Sequence, residues 1–263
     1  MQAGRPSVTA RRVAAMRAEL DRPTTPAGDA AADQRLTAGI MSSEHRTRTA
    51  MFHHIAARTR FIDTELLSAL DAGITQVVLV GAGYDGRALR FRAPGVRFFE
   101  IDHPATQTDK RERMVALGTD LRHISFAACD FTTDDIDITL AGVGHDADSP
   151  TFFYCEGVVS YLDQSVADHL FERLRACAAV GSRFAVSLAV TVAAATPEEE
   201  ALLAARLEWF ARAGEPRRSS LTADGAVSMF ARTGWHAGRV LDPTDFDPEA
   251  PAGRSRLVVA TPA

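Results

Sequence analysis

The sequence predicts an α/β protein built on a doubly wound, mostly parallel sheet. Three observations predict it. A short apolar run, Gln76-Val77-Val78-Leu79-Val80, opens directly into a glycine-rich turn, the pattern of a buried parallel strand feeding a loop. Downstream, strand-like segments alternate with stretches of helical period, as crossover units do. Acidic residues stand where successive strands end: Asp102, Asp130 and Glu156. In a doubly wound sheet these carboxyl ends form the ligand-binding edge.

The elements follow in chain order. Residues 1–45 are polar and rich in Ala, Arg and Asp. Within them 8–20 reads as a helix and 21–26 as a loop, the whole being a helical or partly disordered extension. Over 47–72, Met51, Ile55, Phe61, Ile62, Leu66, Leu67 and Leu70 recur at helical spacing, which predicts two short helices or one bent one. The first strand is 76–80. A second, 96–101, ends at Asp102, and 105–117 is helical in composition. A third, 123–128, leads to Asp130, and a fourth, 151–155, ends at Glu156. A helix at 165–179 carries Leu170, Phe171, Leu174 and Ala178 on one face, with Gly181 expected as its C-cap. The fifth strand is 183–190. Pro197-Glu198-Glu199-Glu200 opens a helix to about 212, because proline and acids both suit a first turn. After Gly214-Glu215-Pro216 a further helix covers 222–233. Two apolar segments, 235–241 and 256–260, read as a terminal hairpin pair. The predicted organisation is one domain: a helical cap at 1–72, a core at 73–190, a helical lid at 191–233 and C-terminal strands at 234–263.

Composition narrows the function classes. The 263 residues are 46% hydrophobic and 24% charged, the balance of a soluble globular chain. No apolar run reaches the roughly 18 residues of a membrane helix. The first ten residues lack the apolar stretch of a secretory signal. Cys129, Cys155 and Cys177 are widely spaced, which suits a reduced compartment and gives no zinc spacing. A cytoplasmic location, no membrane partner and no metal are therefore expected. A net charge of -5 disfavours general nucleic-acid binding. Of the 29 basic residues only Lys110 is a lysine, so a P-loop lysine is missing and Schiff-base chemistry has no choice of residue.

The chemistry centres on Gly81-Ala82-Gly83-Tyr84-Asp85-Gly86 after the first strand. It matches G-x-G-x-x-G, so a dinucleotide site is the first reading and a ligand-free tight turn the second. Asp102 at the second strand end suits ribose hydroxyls, a feature common to several cofactors. Asp130 suits the exocyclic amine of adenine, with Phe131 beside the ring. Glu156 falls beneath the expected position of the reacting group. Each acid taken alone is equally a loop residue or a helix cap.

Larger stretches carry a resemblance. Arg58-Thr59-Arg60-Phe61-Ile62-Asp63, the run from Gln76 through Gly81 to Arg90, Phe99-Glu100-Ile101-Asp102-His103-Pro104, and Tyr154-Cys155-Glu156-Gly157-Val158-Val159-Ser160-Tyr161-Leu162 together resemble the leucine carboxyl methyltransferase family. Its bacterial members include mycobacterial methyltransferases and the carboxyl methyltransferase of tetracenomycin polyketide biosynthesis. The resemblance implies a class I methyltransferase (Rossmann-like) fold with a seven-stranded sheet, and S-adenosylmethionine as cofactor. It further implies that Arg60 grips the cofactor carboxylate and that Gly81, Ala82, Gly83 and Tyr84 line the cofactor. Asp102 would then bind ribose, Asp130 and Phe131 adenine, and Glu156 would lie near the methionine part. The protein-methylating eukaryotic members use an N-terminal lysine at the cofactor, and this chain has none before Lys110. That departure points away from a phosphatase C-terminus and toward a small-molecule carboxylate, such as a natural-product intermediate.

A carboxylate acceptor is ionised at neutral pH and needs no general base. The chain accordingly shows no Ser-His-Asp or Cys-His set. A phenol acceptor would benefit from a base, and His103 is placed for one, although a histidine before proline is ordinarily a packed turn residue. Acceptor contacts are expected from the N-terminal helices and from 195–221. Tyr161, Arg206, Arg217 and Arg218 are the pocket candidates, each arginine being by itself an ordinary solvated helix residue, and Trp209 and Phe210 pocket or core. Three readings compete with a carboxyl methyltransferase: an NAD(P)-dependent oxidoreductase, a phenol O-methyltransferase and a non-catalytic cofactor-binding module. Against the oxidoreductase, the chain lacks a Tyr-x-x-x-Lys pair.

Overall fold

The computed structural model describes residues 5–40, 49–192, 196–219 and 221–263. The predicted extension at 1–4 and 41–45, the predicted helix start at 47 and 48, and residues 195 and 220 of the expected acceptor segment lie outside them.

Seven strands form one sheet in the order β3-β2-β1-β4-β5-β7-β6. They are β1 (Gln76–Val80), β2 (Arg97–Asp102), β3 (Ile124–Ala128), β4 (Thr151–Glu156), β5 (Arg183–Ala189), β6 (Trp235–Leu241) and β7 (Ser255–Pro262). The first five run parallel, with Val80 level with Ile101 on one side and Cys155 on the other. The two terminal segments pair antiparallel as predicted, and β7 inserts between β5 and β6. The direction of winding reverses between β1 and β4, where a ligand crevice opens at the carboxyl ends.

Alternation along the strands sorts side chains to two faces. Val78, Val80, Phe99, Phe153 and Phe184 face one core. It is closed by α6 (Ile136–Gly142), α7 (Gln164–Ala176) and α9 (Ala223–Arg232). Val77, Leu79, Phe98, Phe152 and Tyr154 face the other, under α2 (Ala32–Thr37), α3 (Ala50–Asp71), α4 (Arg87–Arg90) and α5 (Pro104–Ala116). Two helices remain, α1 (Val8–Arg17) and α8 (Pro197–Arg212). α1 packs Met16 against Phe52, Ile55 and Ala56 of α3.

Of the two alternatives over 47–72, the single helix is the one found: residues 50–71 are continuous, started by the Thr49 hydroxyl accepting from the Phe52 amide at 3.3 Å. One helix end changes. α7 ends at Ala176, and Cys177 is its C-cap. Gly181 stands beyond it with φ +88° in the turn into β5, so its left-handed backbone serves that turn. The short α2, α4 and α6 escaped prediction because four to seven residues hold too little periodicity to read.

The sole lysine is interior. Lys110 Nζ lies 2.6 Å from Glu100 Oε2 and donates to the Asp85 carbonyl at 2.7 Å. It holds the glycine-rich loop from behind.

Candidate active site

A cavity of about 970 Å³ opens at the carboxyl edge of the sheet, over the crevice between β1 and β4. Its volume is at the upper end of small-molecule pockets, with room for a cofactor and an acceptor together. The strand-end loops form its floor, while α1, the start of α3, α8 and the segment after α8 form its walls.

The floor begins with the glycine-rich loop. Gly81 sits at φ +72°, and a Cβ there would meet Val158 Cγ2 at 2.3 Å. Only glycine fits both the left-handed backbone and the contact. The Gly83 amide donates to Asp102 Oδ2, and the His103 amide donates to Oδ1 at 2.7 Å. Burial raises the Asp102 carboxyl pKa above its ordinary value against these two hydrogen bonds. The loop enters α4, which is only four residues long. Its arginines, Arg87 and Arg90, are buried and engaged with carboxylates. This short helix lacks the long N-terminus that faces a pyrophosphate in dinucleotide folds. The G-x-G-x-x-G pattern therefore serves a tight loop, and the dinucleotide reading loses its structural support.

Asp130 and Phe131 also line the cavity. Asp130 Oδ1 accepts from the amide and hydroxyl of Thr132 at 3.0 and 2.7 Å. The Thr132 hydroxyl is the main reason its carboxyl lies below the ordinary range. Phe131 packs against the core beneath. Ala82 and Tyr84 are buried on the same wall. Tyr84 ties the loop to α1 and α5, accepting from Arg11 Nε at 3.2 Å and donating to Asp109. Burial, reinforced by Asp109, pushes its phenol up to about 12.

Glu156 lies at the centre of a buried ionic network. Its Oε1 accepts from Arg17 at 3.0 Å and Arg58 at 2.9 Å, and its Oε2 from Arg87 at 2.8 Å. Arg87 continues to Asp85 and, at 2.6 Å, to Asp63. Arg22 grips Asp63 with two nitrogens at 2.8 Å and reaches Asp33 at 2.7 Å, where Arg90 also binds. Burial alone would raise the Glu156 carboxyl, but Arg17, Arg87 and Arg58 hold it far below the usual carboxylate range. Asp85 behaves likewise: Arg87 and Arg17 overcome burial and hold it at about 2. Five guanidinium groups (Arg17, Arg22, Arg58, Arg87, Arg90) face four carboxylates (Asp33, Asp63, Asp85, Glu156). One positive charge is left over, and Arg17 and Arg58 carry it at the cavity wall. Gly157 makes room for it, because a Cβ there would stand 2.9 Å from Arg58 NH1.

Arg60, expected to grip the cofactor, is not at the cavity. Its guanidinium is 44% exposed and pairs with Asp247 at 2.8 Å on the outer side of α3. Arg58 takes the inward place. Arg17 and His54, which sequence reading missed, also line the cavity. The signal for Arg58 and His54 was their four-residue spacing, which puts both on one helix face. No local signal marks Arg17, which arrives through the docking of α1.

The acceptor candidates converge in part. Tyr161, Arg206 and Arg217 line the cavity around Phe210, with Tyr161 edge-on to that ring at 6.0 Å. Arg206 and Arg217 lie over it at 5.9 and 5.3 Å. Trp209 lines the cavity and lies under Arg12 at 5.0 Å. Arg218 reaches the rim, but its half-exposed guanidinium pairs with Asp163 at 3.1 Å. His103 caps α5, its Nδ1 accepting from the Ala105 amide at 3.4 Å. Burial, followed by Arg58, Arg206 and Arg217, pulls the His54 pKa down to about 3. Among the described residues there is no cluster of metal-ligating side chains and no helix long and apolar enough to cross a membrane.

The strand order, with its antiparallel seventh strand inserted between β5 and β6, is that of class I methyltransferases. The fold is shared with a DUF574 family protein from Streptomyces avermitilis, at 17% identity, TM-score 0.66 and 98% coverage of both chains. A Thermobifida fusca protein described as a "putative methyltransferase" matches at 16% identity and TM-score 0.62, over 99% of this chain and 96% of the other. The leucine carboxyl methyltransferase family model matches residues 9–175, and the chain belongs to that family. Among its relatives is a Streptomyces coelicolor protein named "Putative S-adenosyl-L-methionine-dependent methyltransferase SCO7813". It is 37% identical over 155 residues, 54% of this chain and 51% of that protein. The chain spans about half the length of the curated relatives it matches.

Proposed function

We propose that this chain is an S-adenosylmethionine-dependent O-methyltransferase that methylates a carboxylate of a small molecule. One observation carries the reading. A single cavity joins the glycine loop and Asp102 to an arginine-lined, largely apolar chamber. The donor set fits the cofactor. Asp102 suits the ribose diol, Asp130 with Phe131 the adenine, and the surplus guanidinium charge beside Glu156 the amino-acid carboxylate. When bound, the cofactor supplies an electrophilic methyl group on a sulfonium.

The chain's own residues have to position and desolvate. An ionised carboxylate needs no deprotonation, so catalysis rests on holding an acceptor oxygen in line and excluding water. α1 and α8 cover the chamber for that purpose, the latter within the helical lid of 191–233. His54 would serve a phenol acceptor poorly, because a base with pKa about 3 is badly matched to a phenol near 10. The apolar walls and large volume suit a polyketide or other natural-product acid.

Calorimetry with S-adenosylhomocysteine and with NADH tests the cofactor, and methyl-labelled cofactor with a panel of carboxylates and phenols tests the acceptor. S-adenosylhomocysteine should bind, Asp130→Ala should weaken it, and label should appear on carboxylates. Binding of NADH in place of S-adenosylhomocysteine, or label confined to phenols, would contradict the proposal.

A further inference from the structure

The chamber holds more positive charge than one acceptor carboxylate uses. Arg12, Arg206 and Arg217 all line it, and each has a buried Nε without a hydrogen-bond partner. None makes an ion pair with a described carboxylate. Glu215, which also lines the cavity, accepts from the Val8 and Thr9 amides at 2.8 and 3.2 Å, and Asp163 at the rim holds Arg218. Among the described residues the hydrogen-bond acceptor of Arg206 is the Met51 sulfur at 3.6 Å, a weak one. Each guanidinium lies over an aromatic ring, Arg12 over Trp209 at 5.0 Å and Arg206 and Arg217 over Phe210 at 5.9 and 5.3 Å. The three come from α1, α8 and the segment after it, and not from the strand ends that carry Asp102 and Glu156.

Building on the methyltransferase reading, we propose that the acceptor is a small organic dianion, whose second anionic group, distinct from the carboxylate that is methylated, is held by Arg12, Arg206 and Arg217. The reason is chemical. A reacting carboxylate must keep one oxygen lone pair free for the methyl carbon. Three guanidinium groups, with up to five donors each, would occupy those lone pairs. Such a cluster suits an anionic group that anchors and does not react. A monoanion would also leave part of the cluster unneutralised in a half-buried site.

The test titrates benzoate and benzene-1,3-dicarboxylate into the protein, with and without S-adenosylhomocysteine. The dicarboxylate should bind about tenfold more tightly than benzoate or better, as a second charge-assisted contact implies. Arg206→Gln and Arg217→Gln should each cut that ratio about fivefold and leave S-adenosylhomocysteine affinity within about twofold, while Arg206→Lys keeps part of the preference. Equal binding of the two acids, binding of neither, or loss of S-adenosylhomocysteine affinity in the glutamine variants would overturn the proposal. Failure of the parent chain to bind S-adenosylhomocysteine, with the dicarboxylate preference intact, would sink the methyltransferase reading and leave the dianion site standing.

Discussion

Arg58 and Arg60 stand two positions apart on α3, so their side chains leave the helix about 200° apart. One has to face the sheet edge and the other away from it. Arg58 faces inward to Glu156, and Arg60 faces Asp247. A short motif such as Arg58-Thr59-Arg60 does not say which, because phase depends on how the whole helix docks. Neighbouring apolar positions contain that answer: Ile55, Phe61, Ile62 and Leu66 are buried. If the inward arginine helps hold the cofactor carboxylate, Arg58→Gln should weaken S-adenosylhomocysteine about tenfold, the worth of one charge-assisted contact. Arg60→Gln should change it less than about twofold, as expected of an exposed pair. Isothermal titration of both variants, checked for folding by melting, reads the difference.

At the scale of elements, what was legible was what lies close in sequence. β1, its glycine loop, and the acids at the ends of β2 and β4 could be read because strand, turn and terminal residue are contiguous. Pro197 and the acids after it likewise mark the start of α8, which the structure caps with the Thr196 hydroxyl accepting from the Glu199 amide at 3.2 Å. That the N-terminal helices reach the cavity was expected, but which of their side chains do so was not legible, because α1 docks there through contacts distant in sequence. Its anchor is Glu215, whose carboxylate caps the first amides of α1 across some two hundred positions. A carboxylate at a helix N-terminus contributes about 0.3–2 kcal/mol. Glu215→Gln should therefore speed amide exchange over residues 8–17 and weaken S-adenosylhomocysteine a few-fold. The exchange of β1 and β4 should stay as in the parent. Equal acceleration throughout would mean that Glu215 supports the whole fold and not this contact.

For the whole molecule, acid sensitivity should begin with histidines. His145 is buried, its ring edge-on to Phe99 at 5.3 Å, and burial pulls its pKa from 6.5 to about 4. The unfolded chain takes up that proton first. Stability is thus fully present above pH 6.5 and drains as pH falls toward 4. Asp85 acts later: with a folded value of about 2 against 3.8, its contribution is intact above pH 4 and is lost as pH falls toward 2. Denaturant midpoints between pH 7 and 4.5 should fall with pH. His145→Gln should flatten that slope by up to about 1.4 kcal/mol per pH unit. An unchanged slope would place the sensitivity in other groups.

The interior position of Lys110 has a consequence beyond the loop it supports. No other residue of these 263 carries an ε-amine, and this one is 1% exposed. Acetyl or ubiquitin-type tags attached to lysine therefore find no exposed amine on these folded residues, and Lys110 has first to leave Glu100 and the Asp85 carbonyl. Lysine modification within these 263 residues is in effect a mark of local opening.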